Sequence, residues 1–204
     1  MKWLRFLHNG RETLGSLEGE SVHVYRGELF GSHEPAGEKL PAQDVQWLTP
    51  CKPGKIIGLW NNFRAAAAKN QWPEPAEPLY FLKAASSALA HQQAIPVPTA
   101  YDGRVAFEGE LAVVIGSTTA SVSVADASAH ILGYTCANDV TAMELIGRDP
   151  TFPQWARAKS MDGFGAFGPV IETNFDPSTA TLLTLVGGRE RQNYRLADMF
   201  FNPF

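Results

Sequence analysis

The sequence is poor in cysteine. Only Cys51 and Cys136 occur among its 204 residues, and neither belongs to a CxxC pair. Disulfides are rare in reducing compartments, so a reduced, cytoplasmic protein is the simplest interpretation. Cys136 lies within an apolar run, and we expect it to be a small core residue.

Long apolar runs and basic stripes are also missing. The longest apolar stretches, such as LAVVIG, are far too short to span a bilayer. The first residues, MKWLRFLHNGRE, lack the sustained apolar core of a secretory signal. The formal net charge of −4 is mild, and neither nucleic acid nor an anionic membrane is an expected partner.

The composition and turn signals favour one globular domain with a small N-terminal appendage. Hydrophobic residues make up 45% of the chain and charged residues 19%. Residues 1–48 predict three short strands separated by Asn9-Gly10, Gly19 and Gly27. The stretch GSHEPAGEKLP predicts a loop or linker, and we place the boundary with a core of residues 50–204 near Pro50.

The core alternates short strand and helix signals. KIIGLW and LYFLK predict strands around the alanine-rich helix NNFRAAAAKNQ. ADASAHILGY predicts a short helix capped by Ser123 or Asp126, and DVTAMELIG predicts a helix that opens with Asp139. TLLTLVGGRERQNY predicts a hairpin around Gly187-Gly188. The sequence therefore predicts a β-rich, mixed α+β fold with short helices.

Three carboxylates stand out against this background. Glu108 and Glu110 belong to FEGELAVVIG, which predicts a strand, and they point to one face roughly 6.5–7 Å apart. Asp139 follows the apolar run ILGYTCAN. Acids on one face repel each other unless a cation compensates. Three hard oxygen ligands suit Mg²⁺, Mn²⁺ or Ca²⁺ better than zinc.

Simpler interpretations of these acids exist. An E-x-E pair at the mouth of a strand is often a solvated face, and Asp139 could cap the following helix.

The wider context resembles the fumarylacetoacetate hydrolase family. The matching segments, in order over about residues 55–200, are KIIGLWNNF, EPLYFLKAASSAL, FEGELAVVIG, ILGYTCANDVTA and WARAKSMDGFGAFGPVI. The E-x-E pair followed by Asp about thirty residues later is similar to that family's metal signature. VGGRERQNYRLADMFF resembles the next strand and turn, with Gln192 and Met199 in familiar positions.

This resemblance implies a fold and roles for particular residues. It implies a mixed β-sandwich or β-roll core after a small N-terminal β segment. Glu108, Glu110 and Asp139 would bind a divalent cation, with Mg²⁺ first and Mn²⁺ or Ca²⁺ as alternatives. Lys159 would be catalytic or bind substrate, although it could also be a surface lysine of the helix WARAKS. Lys83 is a second candidate for substrate binding, and supporting the site or pairing with one of the acids are its alternative roles.

The resemblance also implies an enzyme acting on a small keto acid. We expect first a metal-dependent hydrolase of a β-diketo or acylpyruvate-type acid, of the kind used in aromatic catabolism. In such a reaction the cation stabilises an enolate. An isomerase, tautomerase or decarboxylase of a hydroxymuconate- or oxaloacetate-type acid is the alternative. A non-enzymatic metal-binding relative is a third. The family implies a homodimer.

The sequence departs from the family's hydrolases at several points. They carry a His and a Glu shortly after an N-Y motif, where this chain has Ala66 and Lys69. The arginine and glutamine expected after the aspartate are Met143 and Ile146, so Arg148 or Arg64 is a candidate replacement for contacts with substrate. The chain also stops at FFNPF, where about fifty more core residues are expected, and this predicts an incomplete core.

Overall fold

The computed structural model describes all 204 residues, and short strands make up most of its regular structure. The fifteen strands are β1 (Lys2–His8), β2 (Arg11–Glu18), β3 (Ser21–Gly27), β4 (His33–Pro41), β5 (Gln46–Trp47), β6 (Ile56–Trp60), β7 (Leu79–Lys83), β8 (Ala88–Leu89), β9 (Val105–Ala106), β10 (Gly109–Ile115), β11 (Ile131–Asp139), β12 (Thr141–Ala142), β13 (Gly165–Glu172), β14 (Thr181–Val186) and β15 (Arg189–Arg195). The α-helices are α1 (Arg64–Asn70), α2 (Val124–Ala127), α3 (Met143–Ile146) and α4 (Trp155–Lys159). None of them is long and apolar enough to cross a membrane. The predicted β-rich, mixed α+β class is confirmed.

The first three strands form consecutive antiparallel hairpins, as predicted. Asn9 and Gly10 connect β1 to β2 with φ angles of 51° and 75°. Positive φ at both central residues belongs to a type I′ turn, whose twist matches that of the flanking strands. The Asn-Gly signal therefore fixes the register of this hairpin.

The predicted loop at residues 31–41 is wrong, because β4 occupies most of it. This strand pairs antiparallel with β3, from Ser21↔Pro41 to Gly27↔His33, with a register irregularity between His23 and Tyr25. It lies at the end of the sheet and is mostly exposed. An exposed edge strand needs no apolar alternation, and prolines are tolerated there. Its sequence therefore looks like that of a linker.

One nine-stranded sheet joins the N-terminal strands to the core strands. Its main path runs β10–β11–β13–β1–β2–β3–β4, with β5 added to β1 and β8 to β13. The junction is the antiparallel pairing of β1 with β13 at Lys2↔Glu172 and Trp3↔Ile171. Trp3 and Ile171 also belong to one buried apolar cluster. Residues 1–48 therefore share both a sheet and a core with the rest of the chain.

Three two-stranded sheets complete the architecture. They pair β6 with β7, β9 with β12, and β14 with β15. The β14–β15 hairpin turns at Gly187 and Gly188, whose φ angles are 57° and 73°, and this confirms the predicted hairpin. The predicted strands and helix at KIIGLW, LYFLK and RAAAAK are confirmed as β6, β7 and α1.

The chain after Asp139 differs from the expected helix. Asp139 is the last residue of β11, a short strand follows, and α3 begins only at Met143. The backbone N–H of Asp139 donates to Glu108 O at 2.8 Å, and that of Val140 donates to Phe164 O at 3.0 Å. These contacts keep the backbone extended here, so Asp139 does not cap the helix.

The two cysteines lie in different environments. Cys51 is buried within an apolar cluster, whereas Cys136 is exposed on β11. The expectation that Cys136 is a core residue is therefore wrong. The apolar run ILGYTCAN misled that prediction because alternate residues of a strand point to opposite faces.

Candidate functional site

Strand pairing places the three carboxyl residues at one end of the same pair of strands. Glu108 directly precedes β10, Glu110 is its second residue, and Asp139 ends β11. The two strands are antiparallel, with Gly109 opposite Asn138. This register places the end of β11 beside the start of β10, so the sequence-predicted acids meet at one end of the strand pair.

Lys159 lies between two of these acids. Its Nζ is 2.9 Å from Glu108 Oε2 and 2.5 Å from Asp139 Oδ2, and it also donates to Thr141 Oγ1 at 2.7 Å. The side chain is only 2% exposed. Lys159 is the last residue of α4, which packs against β7 and β12. The alternative of a surface lysine does not describe it.

Lys83 binds the other carboxylate oxygen of Asp139. It is the last residue of β7, and its Nζ lies 2.5 Å from Asp139 Oδ1 and 3.3 Å from Val140 O. Burial lowers the pKa of the Lys83 ammonium, while the charge and hydrogen bond of Asp139 act in the opposite direction. Both Asp139 oxygens therefore accept from buried ammonium groups.

Glu110 differs from the other two acids because its side chain makes no hydrogen bond or ion pair. Burial, reinforced by the negative charges of Asp139 and Glu108, raises its pKa to about 8. Burial also raises the pKa of Glu108, although the charge of Lys159 opposes this effect. The charge of Lys159 offsets only part of this effect, so Glu110 is a partly buried carboxyl group without a cation in direct contact.

The donor chemistry of this cluster fits a hard divalent cation. Three carboxyl groups face two ammonium groups, so negative charge is in excess when all are ionised. In the present arrangement no three His, Cys, Asp or Glu side chains converge closely enough to hold a metal ion, and the Lys159 ammonium occupies the space between Glu108 and Asp139. An ionised carboxylate has about four acceptor sites, so these oxygens can accept a cation as well as a lysine. The metal role of the three acids stays a prediction.

Arg64 does not join the cluster. Its guanidinium donates to Met199 O at 2.6 Å and lies 4.5 Å from the centroid of the Phe200 ring. Half of its side chain is exposed, and its nearest acid is Glu74 at 3.9 Å. The structure therefore places Arg64 against the C-terminal segment.

Two contacts at the site escaped the sequence analysis. Thr141 Oγ1 donates to Glu108 Oε1 at 3.1 Å and also accepts from Lys159. The Phe81 ring centroid lies 4.7 Å from Lys159 Nζ, within the range of a cation–π contact. The alternation of β7 was a usable signal, because it places Phe81 and Lys83 on one face. Thr141 lies two residues after Asp139 in extended chain, so the same alternation predicts that these two side chains share a face.

Known proteins match the chain along its whole length. The model of the fumarylacetoacetate (FAA) hydrolase C-terminal domain matches residues 55–204, and that of the Rv2993c-like N-terminal domain matches residues 1–50. An uncharacterized protein of Archaeoglobus fulgidus is 38% identical over 200 residues, which cover 98% of this chain and 75% of that protein.

Two further relatives carry enzyme names. The 4-hydroxyphenylacetate degradation bifunctional isomerase/decarboxylase of Salmonella dublin is 35% identical over 155 residues, covering 74% of this chain but only 35% of that protein. The crystal structure of 2-hydroxyhepta-2,4-diene-1,7-dioate isomerase from Mycobacterium marinum superposes with a TM-score of 0.87 at 32% identity, covering 99% of this chain and 77% of that one. The expected family fold is confirmed, and this chain belongs to the fumarylacetoacetate hydrolase family.

Proposed function

We propose that this chain is a metal-dependent enzyme that isomerises or tautomerises a small keto acid through an enolate. The observation that carries the proposal is the buried cluster in which Lys159 bridges Glu108 and Asp139 while Lys83 binds the other oxygen of Asp139. Taking such charges out of water costs several kcal/mol per ion. A cluster of buried charged groups that carries such a free-energy cost is typical of a functional site.

The proposed cation would be held by Glu108, Glu110 and Asp139. When bound, it would supply a Lewis acid that stabilises the negative charge developing on a keto oxygen. The Glu110 carboxyl group has no hydrogen-bond or ion-pair partner, and this supports the assignment, because a hard cation removes the cost of ionising it.

The two lysines would orient the substrate. Both ammonium groups are buried, and each is held by hydrogen bonds to Asp139. Fixed donors in a site of low dielectric bind a carboxylate or an enolate oxygen without reorganising at the moment of reaction. Lys159 donates all three of its N–H groups, to Glu108, Asp139 and Thr141, whereas Lys83 donates to Asp139 and Val140 and keeps one N–H for a substrate oxygen.

Hydrolysis, the first expectation from the sequence, needs an activated water as well. Ala66 lies on α1, where the family's hydrolases carry a histidine, and no residue of α1 is acidic or a histidine. His91, the histidine nearest in sequence to Lys83, packs edge-on against Trp47 with ring centroids 5.6 Å apart. Enolisation requires only the electron sink and a proton transfer. The names of the two enzyme relatives, an isomerase/decarboxylase and an isomerase, agree with this choice.

The test compares reactions on one preparation with Mg²⁺ or Mn²⁺ and with EDTA. We expect the wild type to catalyse enolisation of oxaloacetate or isomerisation of a hydroxymuconate-type diacid, and to hydrolyse an acylpyruvate poorly. Ala66→His should raise hydrolysis, since general-base catalysis contributes about 10²–10⁴ in rate. Lys159→Met should abolish the enolisation, whereas Lys69→Met, at an exposed lysine of α1, should not.

Robust acylpyruvate hydrolysis by the wild type, unchanged in Ala66→His, would show that another residue activates water and would restore the hydrolase assignment. Absence of any metal-dependent turnover across these substrates would favour the non-enzymatic alternative.

A further inference from the structure

The backbone between the two glutamates is bound from outside the main sheet. Gly109 donates its N–H to Gln192 Oε1 at 3.0 Å, and its carbonyl accepts from Gln192 Nε2 at 2.7 Å. β10 is the edge strand on this side of the sheet. The amide of Gln192 therefore takes the place that a neighbouring strand would occupy, at one residue only.

The β14–β15 hairpin orients the side-chain amide of Gln192. Gln192 lies directly opposite Thr184, and a register irregularity follows between Thr184 and Leu185. Thr184 Oγ1 donates to Gln192 Oε1 at 3.0 Å. This contact leaves the Gln192 NH₂ group free to donate to Gly109, whose N–H and carbonyl fix which end of the amide faces which backbone group.

Gly109 is required for the close approach of the hairpin. A Cβ atom at this position would lie 2.0 Å from Thr184 Oγ1 and 3.2 Å from Gln192 Oε1. Any side chain here would push the hairpin away from β10. The middle residue of the E-G-E motif thus serves the contact with Gln192, which the spacing of the two acids does not reveal.

The opposite side of the same backbone is held by β11. Glu108 N–H donates to Asn138 Oδ1 at 3.1 Å, and Glu108 O accepts from the Asp139 N–H at 2.8 Å. With Gln192 on the other side, the Glu108–Glu110 backbone is fixed from both directions. The direction in which the two carboxyl groups leave the strand depends on this backbone.

We propose that Gln192 is a positioning residue, which holds the Gly109 backbone so that Glu108 and Glu110 present their carboxylates jointly to a divalent cation. This inference rests on the proposed function, because it assumes that the cation binds there. Ligand geometry has little tolerance, and partners outside the ligand set are typically worth 10–100-fold in metal affinity.

The experiment measures Mn²⁺ affinity by calorimetry on the full chain, for wild type, Gln192→Met and Asn193→Ala. Met keeps the length of the side chain but loses both hydrogen bonds to Gly109. Asn193 is the matched control, because it is the next hairpin residue and its side chain bonds only to Glu190 within the hairpin. We expect an affinity loss of roughly 10–100-fold for Gln192→Met and little change for Asn193→Ala.

Two further measurements separate positioning from loss of folding. Thr184→Val, which keeps the side-chain shape and removes only the donor to Gln192, should give a smaller affinity loss in the same direction. Amide hydrogen exchange in EDTA should be faster for a peptide covering residues 108–111 in Gln192→Met, and unchanged for a peptide from β1 to β3. A merely structural role would lower the melting temperature and leave the Mn²⁺ affinity of the folded chain unchanged.

The outcomes distinguish this inference from the proposed function. If the wild type binds Mn²⁺ and Gln192→Met binds it equally well, the positioning role is overturned and the cation site stands. If the wild type binds no Mn²⁺ at millimolar concentrations, the proposed cation site fails and the role of Gln192 toward it fails as well.

Discussion

At the scale of single residues, Asp139 organises the site. Both of its oxygens accept from buried lysines that arrive on different elements, Lys83 at the end of β7 and Lys159 at the end of α4. Removing one partner of a buried ion pair leaves an uncompensated charge, which is more costly than the pair itself. The two lysines and Asp139 therefore depend on one another for stability as well as for binding.

Glu110 gives the clearest pH prediction. Its pKa lies near 8 in the folded chain, above its ordinary value of 4.5. Between these values the folded state binds a proton that the unfolded state has lost, so stability falls as the pH rises through this window in the absence of metal. Each unit by which the pKa is raised corresponds to about 1.4 kcal/mol in the free energy of unfolding. The partial exposure of Glu110 reduces this amount.

Glu110→Gln should therefore be more stable than the wild type at pH 8–9 in EDTA, and the difference should shrink toward pH 4.5. Urea unfolding across this range measures the difference. Glu77→Gln, at an exposed glutamate without an ion pair, is the control and should follow the wild type. A constant difference between Glu110→Gln and wild type at all pH values would contradict the assignment of the raised pKa.

At the scale of elements, the alanine-rich helix α1 depends on a distant partner. Its own N-cap position, Phe63, offers no side-chain oxygen. The N–H of Ala65 is instead accepted by Asp198 Oδ2 at 2.8 Å. An acid at the start of a helix stabilises the helix in two ways: it accepts a hydrogen bond from a free backbone N–H, and its negative charge interacts favourably with the helix dipole.

We expect Asp198→Ala to destabilise the chain by about 1 kcal/mol and Asp198→Asn by less, because Asn keeps an acceptor oxygen. Chemical denaturation measures both effects. Asp126→Ala, at an acid of the separate helix α2 that bonds to Ser123, is a suitable comparison and should not alter α1. Equal stability of the wild type and Asp198→Ala would show that water satisfies the helix start equally well.

Local signals in the sequence predict an element correctly where the conformational preferences of neighbouring residues determine its structure. The Asn9-Gly10 and Gly187-Gly188 turns and the alanine-rich α1 follow from turn chemistry and helix propensity. The strand β4 and the late start of α3 do not, because pairing with distant backbone decides them. Local signals carry no information about such partners.

The site shows the same division. The resemblance predicts Glu108, Glu110, Asp139, Lys83 and Lys159, and the structure brings these residues together. Arg64, a candidate replacement for the family contacts that this chain lacks, lies against the C-terminal segment instead. The resemblance does not reveal which backbone group Gln192 binds. The contact between Gln192 and Gly109 spans 83 positions in the sequence, so only the folded hairpin discloses it.

At the scale of the whole molecule, a bound cation should stabilise the fold by mass action. At about a hundredfold above Kd the gain is roughly 2.7 kcal/mol, which corresponds to about 5–10 °C in Tm for a chain of this size. Asp139→Ala should abolish this gain, and Asp102→Ala, at an exposed acid outside the cluster, should retain it. A wild-type Tm unmoved by millimolar Mg²⁺ and Mn²⁺ would contradict the proposed metal site.

Self-association is the last prediction, and the β6–β7 ribbon indicates where it would occur. Register pairs Ile57 with Leu82 and Leu59 with Tyr80, so these four apolar side chains share one face. Their exposure ranges from 43% for Leu59 to 70% for Tyr80. The opposite face carries Lys83 and packs inward toward the site. Contiguous exposed apolar patches of this kind mark association surfaces.

We therefore expect the wild type to sediment as a dimer at high micromolar concentration, and Leu59→Lys combined with Leu82→Lys to sediment as a monomer with its fold intact. Charges facing each other across a two-fold contact repel and remain hydrated, whereas the same change at a residue outside the contact has no such effect. Val124→Lys is the matched control, because Val124 is 77% exposed on the separate helix α2. A wild type that sediments as a clean monomer would refute self-association, and a Leu59/Leu82 variant that still dimerises would move the contact to another face.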